Sequence, residues 1–265
     1  MDKAPLTEHL GELRNRILVA LAAVIIAFGF CFYYSEYLFS VLTSPLHFTL
    51  KFSLENPYIS FIPSKEHDIQ LVFLAPAEAL WMHIKIAFIS AFIVSTPLIF
   101  FETWKFISPG LLEQEKKYAI PFVMTTTFLF LIGAVFCFII VLPFAMNFLL
   151  TYKTEHLQPM ISVGKYVDFC LKFILAFGAI FELPVVSVFL TRMGVVTPEF
   201  LSKNRKYAVL IAFVLGAVLT PTPDAFNQSL MAIPIIILYE VGIWASKFLN
   251  RKKKTEEHKK DEDAT

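Results

Sequence analysis

The sequence predicts an all-α integral membrane protein with six transmembrane helices. Of its 265 residues, 57% are hydrophobic and 17% are charged, and the mean hydropathy is +0.65. Soluble domains carry about 25% charged residues. The apolar residues gather in six runs separated by polar segments, which is typical of a chain that crosses a bilayer several times.

The six runs define the spans, and the last two are the shortest. A helix rises about 1.5 Å per residue, so crossing a hydrocarbon core of about 30 Å takes about 20 residues. A fifth run of about 12 residues makes about 18 Å of helix, which requires a locally thinned bilayer or a protein wall beside it. The predicted spans are 17–34, 76–101, 119–142, 166–190, 208–219 and 227–244.

The segments around the first two spans also carry signals. Leucines recur at helical spacing in residues 1–16, which predicts an amphipathic lead-in beside the membrane. The first run lacks a small-residue cleavage site, so we expect a retained helix rather than a signal peptide. Residues 36–75 contain prolines and mixed charges, and we predict short amphipathic helices on the membrane face there. Pro97 is expected to kink the second span.

Charge placement predicts the topology and the domain limits. Six spans put both termini on one side. Lys and Arg concentrate in the N-terminal segment, the 102–118 and 191–207 loops and the tail. The other side holds only Lys51, Lys65, Lys153 and Lys165. By the positive-inside rule both termini are cytoplasmic. Residues 1–250 are predicted to form one membrane domain, and 251–265 a charged, disordered cytoplasmic tail.

Motifs of nucleotide-driven and hydrolytic enzymes are missing from the sequence. It contains no phosphate-binding glycine loop, no H-E-x-x-H and no nucleophile elbow. The three cysteines lie inside apolar runs without CxxC spacing, which argues against a zinc site or a disulfide framework. We therefore predict no enzymatic activity, no cofactor and no metal.

Glu182 is the most informative single residue of the sequence. It lies beyond the middle of the fourth run, which also carries Asp168 and Lys172. A carboxylate inside the bilayer costs several kcal/mol unless it is protonated, paired or facing protein or water, so it indicates a functional site. Lys172 is about 15 Å away along one helix and cannot be its partner. A structural pair buried between helices is the alternative for Glu182.

Carboxylates near the cytoplasmic face allow two interpretations. Glu12 and Arg16 are spaced to pair on one helix face. Glu113 and Glu115 stand beside two lysines and fit a solvated charge cluster. The functional alternative is a cationic ligand, because two carboxylates at one mouth suit guanidinium groups, which pair with them bidentately.

The remaining charged residues of the spans also have structural interpretations. Asp224 precedes an apolar run and fits a helix cap. Glu240 can reach the membrane interface near Lys247. Lys85 and Lys172 can extend toward the outer surface or neutralise a neighbouring carboxylate.

Six stretches of sequence share their order and spacing with a known family. They are H-L-G-E-L-R-N-R at 9–16, S-P-L at 44–46, F-E-T-W-K-F-I-S-P-G-L-L-E-Q-E-K-K at 101–117, A-F-G-A-I-F-E-L-P at 176–184, T-P-E-F-L-S-K-N-R-K-Y at 197–207 and T-P-T-P-D-A-F-N-Q-S-L-M-A-I-P-I-I-I-L-Y-E at 220–240. Together they resemble the C subunit of the twin-arginine protein translocase, the TatC family, over nearly the whole chain. T-P-T-P-D holds one residue more than the common T-P-P-D pattern, which affects the geometry at Asp224.

The resemblance implies a six-helix, cup-shaped receptor in the cell inner membrane, with the two short helices forming a thin wall. It implies that the twin-arginine signal peptide of a folded cargo protein docks at the cytoplasmic face. The matching arginine-binding positions are Glu12 and Glu115, and Arg14, Phe106 and Pro109 stand at neighbouring motif positions.

The same resemblance assigns residues to contacts with partner subunits. Glu182 matches the family's intramembrane glutamate, which is implicated in binding single-span TatA- and TatB-type subunits. Gln228, Asp224 and Pro45 stand at further motif positions. The implied protein acts in an oligomeric complex in the lipid bilayer and binds no nucleic acid.

Two functions remain open at this point. The first is a receptor that nucleates a translocation complex, driven by the transmembrane proton gradient because the chain has no nucleotide site. The alternative is a proton-coupled secondary transporter with Glu182 as a midplane carboxylate. Repeated halves would favour the transporter, but the sequence shows none, and most of the distinctive residues lie in the polar loops.

Overall fold

The computed structural model describes residues 6–46, 48–52, 59–63, 71–108, 119–151, 160–220 and 224–262. Within these ranges, five helical segments are long and apolar enough to cross a membrane, and they overlap five of the six predicted spans. They are Leu10–Tyr33, Glu78–Ile107, Ile120–Leu150, Val163–Arg192 and Ala225–Leu249. The chain is a multi-pass helical membrane protein.

Helices make up most of the described chain, and short strands accompany them. The helices are α1 (Leu6–Tyr33), α2 (Ser35–Thr43), α3 (Glu78–Ile107), α4 (Ala119–Phe136), α5 (Leu142–Thr151), α6 (Val163–Phe181), α7 (Leu183–Arg192), α8 (Pro198–Lys203), α9 (Arg205–Leu219) and α10 (Ala225–Glu262). The strands are β1 (Phe48–Phe52), β2 (Ile59–Pro63), β3 (Leu71–Val72) and β4 (Ile161–Ser162). β1 pairs with β2 antiparallel, and β3 pairs with β4 parallel.

The chain divides into two compact units, Met1–Leu175 and Ala176–Thr265. In the first unit α1 lies antiparallel to α3. The start of α1 meets the end of α3 where Arg16 contacts Glu102, and Val24 and Cys31 pack against two fully buried alanines earlier in α3. Small side chains one turn apart on a helix let a neighbouring helix approach closely.

The starts of α3 and α6 are fastened together by Glu78. One oxygen of its carboxylate accepts the hydroxyl of Ser162 and, at 2.8 Å, the backbone N–H of Gly164. The other oxygen accepts the N–H of Leu74 at 2.6 Å. Both helices begin at this contact, and the strands before them, β3 and β4, are parallel. α3 and α6 therefore run in the same direction, and their starts lie side by side.

Prolines explain the interruptions of the third and fourth spans. Pro143 has no N–H to offer the carbonyl four residues earlier, and the π-helical stretch Cys137–Val141 lies just before it. The fourth span breaks at Glu182, between α6 and α7. Pro184 stands in the first turn of α7, where its missing N–H leaves no helical bond unmade. The predicted single helix is therefore two helices in succession.

Close packing joins the helices of the second unit. A Cβ built on Gly216 of α9 would lie 2.8 Å from the carbonyl oxygen of Gln228 on α10, so only glycine fits without a shift. Gln228 donates its side-chain N–H to the carbonyl of Phe213 at 2.9 Å. A Cβ on Gly242 of α10 would lie 2.9 Å from the hydroxyl oxygen of Ser187 on α7.

Several sequence predictions need correction. Among the described residues of 36–75, α2 and the 3₁₀ turn Ser44–Leu46 are helical, but Phe48–Phe52 and Ile59–Pro63 form the antiparallel strands β1 and β2 instead of the expected helices. F-T-L-K-F and I-S-F-I-P are rich in β-branched and aromatic residues, which favour strands. α10 continues as helix to Glu262, through most of the segment predicted as a disordered tail; its Lys and Glu residues are good helix formers. α3 is one continuous helix through Pro97, and the kink expected there stays a prediction. The lead-in is the first part of α1.

Candidate functional site

Charged side chains from α1 and α3 meet where the first helix starts and the third helix ends. We call Glu12, Arg16, Glu102 and Lys105 the rim cluster. The Arg16 guanidinium donates to Glu12 at 2.5 and 3.1 Å and to Glu102 at 2.9 Å. Lys105 lies 3.8 Å from the other oxygen of Glu102. One guanidinium thus bridges two carboxylates from different helices.

Local sequence spacing produces half of the rim cluster, and helix packing produces the rest. Glu12 and Arg16 are four residues apart on α1, so they share a helix face, and the predicted pair is confirmed. Glu102 lies in the last turns of α3, and its side chain is only 10% exposed. A carboxylate that is so buried needs compensation, which Arg16 supplies across the helix contact.

The rim cluster stands at the end of a mainly apolar groove between α1 and α3. The cavity has a volume of about 390 Å³. Its walls include Leu13, Ile17, Val24, Phe88, Phe92 and Phe106, with Arg16 and Glu102 at the end nearest the start of α1. The groove therefore has charged side chains at one end and mainly apolar side chains along the rest of its length.

The structure brings together only part of the predicted signal-peptide site. Glu12 belongs to the rim cluster, and Phe106 lines the adjoining groove. Arg14 is exposed, and none of the ion pairs among the described side chains includes it. Glu113, Glu115 and Pro109 lie outside the described residues.

Glu102 is the residue that sequence reasoning missed at this site. It lies one residue past the predicted end of the second span, where a glutamate next to a threonine and a tryptophan resembles an ordinary interfacial residue. A signal was available in Lys105, which is three residues away on the same helix face. The contact with Arg16 joins residues 86 positions apart and leaves no local pattern.

Glu182 lies at the break between α6 and α7. Its backbone N–H bonds the carbonyl of Ala179 at 3.1 Å, and its carbonyl accepts the N–H of Val186 at 2.9 Å. The side chain is half-buried and its Oε1 atom is buried. The predicted role in partner contact is not tested by these observations and stays a prediction.

The other predicted partner-contact residues have structural contacts of their own. Asp224 accepts the backbone N–H of Asn227 at 2.8 Å, which confirms it as the cap of α10. Gln228 fastens α10 to α9 through the carbonyl of Phe213. Pro45 is buried in the 3₁₀ turn Ser44–Leu46. These contacts position the residues and leave their predicted roles untested.

Glu240 has a different neighbour from the one that the sequence suggested. Its carboxylate pairs with the Arg205 guanidinium at 2.6 and 2.9 Å. Tyr239 beside it donates its hydroxyl to the carbonyl of Leu201 at 2.9 Å. Both contacts tie α10 to the region where α8 ends and α9 begins, so Glu240 does not depend on the interface near Lys247.

The predicted neutralisation of Lys85 by a carboxylate is confirmed. Its ammonium group lies 2.7 Å from Asp168 of α6, and both side chains are about two-fifths exposed. Lys172 follows one turn later on α6 and lines the same groove. Among the described residues, no group of three or more His, Cys, Asp or Glu could hold a metal ion.

These features define a polytopic helical membrane protein in which ion pairs join neighbouring helices. The chain belongs to the TatC family: the family described as Sec-independent protein translocase protein (TatC) matches residues 8–234. The family assignment makes it a component of a protein translocase and not an enzyme.

Individual relatives and solved structures agree with this assignment. The chain is 40% identical to the TatC protein of Aquifex aeolicus, over 94% of this chain and 98% of that protein. It is 38% identical to the TatC protein of Desulforapulum autotrophicum, over 99% and 92%. A solved structure described as Crystal Structure of Twin Arginine Translocase Receptor- TatC superposes with a TM-score of 0.75 at 38% identity, covering 91% of this chain and 98% of that one.

Proposed function

We propose that the chain is the receptor subunit of a twin-arginine translocation system in the cell inner membrane. It binds the twin-arginine signal peptide of a folded cargo protein and nucleates a complex with single-span TatA- and TatB-type subunits. The observation that carries the proposal is the rim cluster beside an apolar groove. A related solved structure is described as a twin-arginine translocase receptor, which supports the same function.

The geometry of the rim cluster suits an arginine ligand. Arg16 already occupies the space between Glu12 and Glu102, so the two carboxylates are spaced to hold a guanidinium. Guanidinium groups keep their charge when they are partly desolvated and pair bidentately with carboxylates, whereas lysine is a point charge. An incoming arginine therefore competes with Arg16 for these oxygens, with Glu115 and Arg14 as proposed neighbours.

The apolar groove suits the part of a signal peptide that follows the arginines. Signal peptides carry an apolar region after a positively charged segment. The groove begins at the rim cluster and continues along α1 and α3 toward Val24 and Phe88. We therefore propose that the arginine pair binds at the rim cluster and the apolar region in the groove, with Phe106 and Pro109 as further candidates for peptide contact.

We also propose six spans with both termini in the cytoplasm. α9 is the fifth span; its 15 residues give about 22 Å of helix, which is short of a core of about 30 Å. The contact of Arg16 with Glu102 puts the N-terminal segment and the start of the 102–118 loop on one face, as this topology requires. The cup-shaped arrangement stays a prediction.

Glu182 is proposed to recruit partner helices, with Gln228, Asp224 and Pro45 as further candidates. A carboxylate at a helix break within a span has few ways to be compensated except by polar groups on protein. Export would draw on the transmembrane proton gradient. Cargo export by Glu182→Ala in cells, with intact complex assembly, would contradict this role.

The test of the receptor function is binding of two signal peptides to the purified protein in detergent. One peptide carries the Arg-Arg pair, and the other carries Lys-Lys at the same positions. We expect wild type to prefer Arg-Arg, and Glu12→Ala, Glu102→Gln and Glu115→Ala each to weaken Arg-Arg binding about tenfold, because a hydrogen bond to a charged group is lost. Fluorescence anisotropy of labelled peptides measures the affinities.

Glu36→Gln is the matched control, because Glu36 is an exposed carboxylate on α2, outside the rim cluster. Its affinity should equal that of wild type. If all variants bind both peptides equally well, the rim carboxylates do not discriminate arginine from lysine, and the receptor proposal fails.

A further inference from the structure

A second charged groove lies between α3 and α6, near the level where both helices begin. We call Lys85, Asp168 and Lys172 with their apolar neighbours the lysine groove. The cavity has a volume of about 310 Å³. Its remaining lining residues are Ile84, Phe88, Ile89, Leu171 and Leu175. The receptor function proposed above uses none of the three charged residues of this groove and shares only Phe88 with it.

The charges of the lysine groove do not balance. Asp168 neutralises Lys85 at 2.7 Å. Lys172 is exposed, and among the described side chains no carboxylate lies within ion-pair distance of it. The groove therefore carries one excess positive charge in an apolar lining, which is costly beside lipid unless an anion compensates it.

The charged residues of the groove lie on both sides of the boundary between the headgroup layer and the hydrocarbon core. α3 has 30 residues, so it is about 45 Å long, as thick as a bilayer with its polar headgroups. About 7 Å at each end then lies outside the hydrocarbon core. Asp168 lies about 6 Å and Lys85 about 10 Å beyond the contact of Glu78 with Gly164, and Lys172 about 12 Å. Lysine side chains at this depth extend toward the phosphates.

The groove has the polarity of a phospholipid along its length. Lys85, Asp168 and Lys172 lie nearer the helix starts than the apolar residues Phe88, Ile89 and Leu175, which lie deeper. A phosphate placed at the two ammonium groups would have its acyl chains beside these apolar side chains. A free phosphate would leave that part of the groove empty.

We propose that the lysine groove binds one anionic phospholipid, with its phosphate held by Lys172 and Lys85 and an acyl chain along Phe88 and Leu175. Charge complementarity selects an anionic lipid over a zwitterionic one, because the groove has a net charge of one. Asp168 orients Lys85 and limits the affinity by facing the same phosphate. In the topology proposed above, the lipid belongs to the outer leaflet.

The experiment is native mass spectrometry of the full-length protein with phosphatidylglycerol or phosphatidylcholine added in detergent. We expect one phosphatidylglycerol to be retained in preference to phosphatidylcholine. Lys172→Gln should weaken this retention about fivefold, because one lysine near an anionic lipid is lost. Asp168→Asn should strengthen it, because a like charge next to the phosphate is removed.

Lys165→Gln is the matched control. Lys165 is an exposed lysine at the start of α6, outside the lining of the groove, so it reports general attraction of basic residues to anionic lipid. Retention in this variant should stay within about twofold of wild type. Lys172 makes no ion pair in the described part of the chain, so its replacement leaves the fold intact; thermal unfolding in phosphatidylcholine checks this.

Two results would overturn the proposal. Equal losses in Lys172→Gln and Lys165→Gln would mean that the attraction is unspecific. Unchanged lipid retention in Lys172→Gln, together with loss of co-purifying single-span subunits, would mean that the groove receives a carboxylate of a partner helix instead of a lipid.

Discussion

The rim cluster and the lysine groove lie at opposite ends of α3, and their paired charged side chains differ in exposure. In the rim cluster a buried glutamate, 10% exposed, is compensated by a guanidinium that is itself 23% exposed. In the lysine groove the paired side chains are 41% and 42% exposed. The first arrangement is a desolvated bridge between helices, and the second is open to its surroundings.

The difference predicts which cluster holds helices together and which is free to exchange ligands. Removing one partner of a buried pair leaves an uncompensated charge, and the loss of stability is large. Removing one partner of an exposed pair changes little, because solvent or headgroups replace it. The rim cluster should therefore matter for stability and for arginine binding, while the lysine groove should matter for lipid binding alone.

Arg16→Met should have the largest effect on stability. It leaves Glu102 buried without its guanidinium partner, and we expect a loss of about 3 kcal/mol in the free energy of unfolding. Denaturant titration of the purified protein in mild detergent measures this loss. Arg14→Met is the control, because Arg14 is exposed on the same helix, and it should change stability by less than about 0.5 kcal/mol.

A double variant shows whether Arg16 stabilises the protein by compensating the buried carboxylate or by the packing of its own side chain. Arg16→Met combined with Glu102→Leu removes both charges and should recover most of the lost stability, because no carboxylate is then left buried. If the double variant is as unstable as Arg16→Met, packing of the arginine stem rather than charge compensation stabilises this end of α1.

Gly164→Ala should have the next largest effect on stability. It should disturb the lysine groove without replacing any of its charged residues. The new Cβ would lie 2.7 Å from Glu78 Oε1, and this side chain is held by several donors and cannot move freely. We expect a loss of about 2 kcal/mol from overpacking. Gly29→Ala on α1 is the control, since nothing lies within 4 Å of its Cβ, and it should stabilise the helix slightly.

The same pair of variants tests the register of α3 and α6. Hydrogen exchange of residues 71–75 and 160–164 should speed up in Gly164→Ala and stay unchanged in Gly29→Ala, because the contacts of Glu78 join these segments. Unchanged exchange in both variants would show that the strands β3 and β4 hold the helix starts without Glu78.

Lys85→Met should destabilise the protein by at most about 1 kcal/mol, because its partner Asp168 is 42% exposed and stays solvated. Denaturant titration against wild type gives the difference, and Lys165→Met serves as the control for loss of a lysine near the same end. A loss as large as that of Arg16→Met would show that the lysine groove is a structural bridge too, and the contrast between the two clusters would disappear.

Hydropathy predicted the fold well because span formation is a local property of the chain. Apolar runs of sufficient length must pair their backbone groups within a helix when they enter lipid, so five spans follow from composition alone. Proline chemistry marked the places where α6 ends and where the π-helical stretch occurs, although the single-helix prediction for the fourth run did not use it.

The candidate site was harder to predict because its contacts join distant residues. Glu12 and Arg16 follow from spacing on one helix, and Asp224 follows from its position before α10. Glu102 contacts Arg16, which lies 86 positions away in the sequence. Its importance comes from its burial, which no local sequence pattern indicates. A carboxylate partner was one of the two alternatives predicted for Lys85, and it is present, but the sequence did not identify Asp168 as that partner.

Lys105→Met should have the smallest effect and gives the most sensitive comparison within the rim cluster. Lys105 lies 3.8 Å from Glu102, is 46% exposed, and has its ammonium 4.3 Å from the centre of the Phe101 ring. An exposed ion pair at this distance contributes little, and an exposed cation–π contact contributes about 0.5 kcal/mol, so we expect a loss near the latter value in denaturant titration. If Lys105→Met instead costs as much as Arg16→Met, two cations share the compensation of Glu102. Displacement of Arg16 by a signal-peptide arginine would then leave Glu102 still paired, and the rim cluster could exchange its guanidinium without loss of stability.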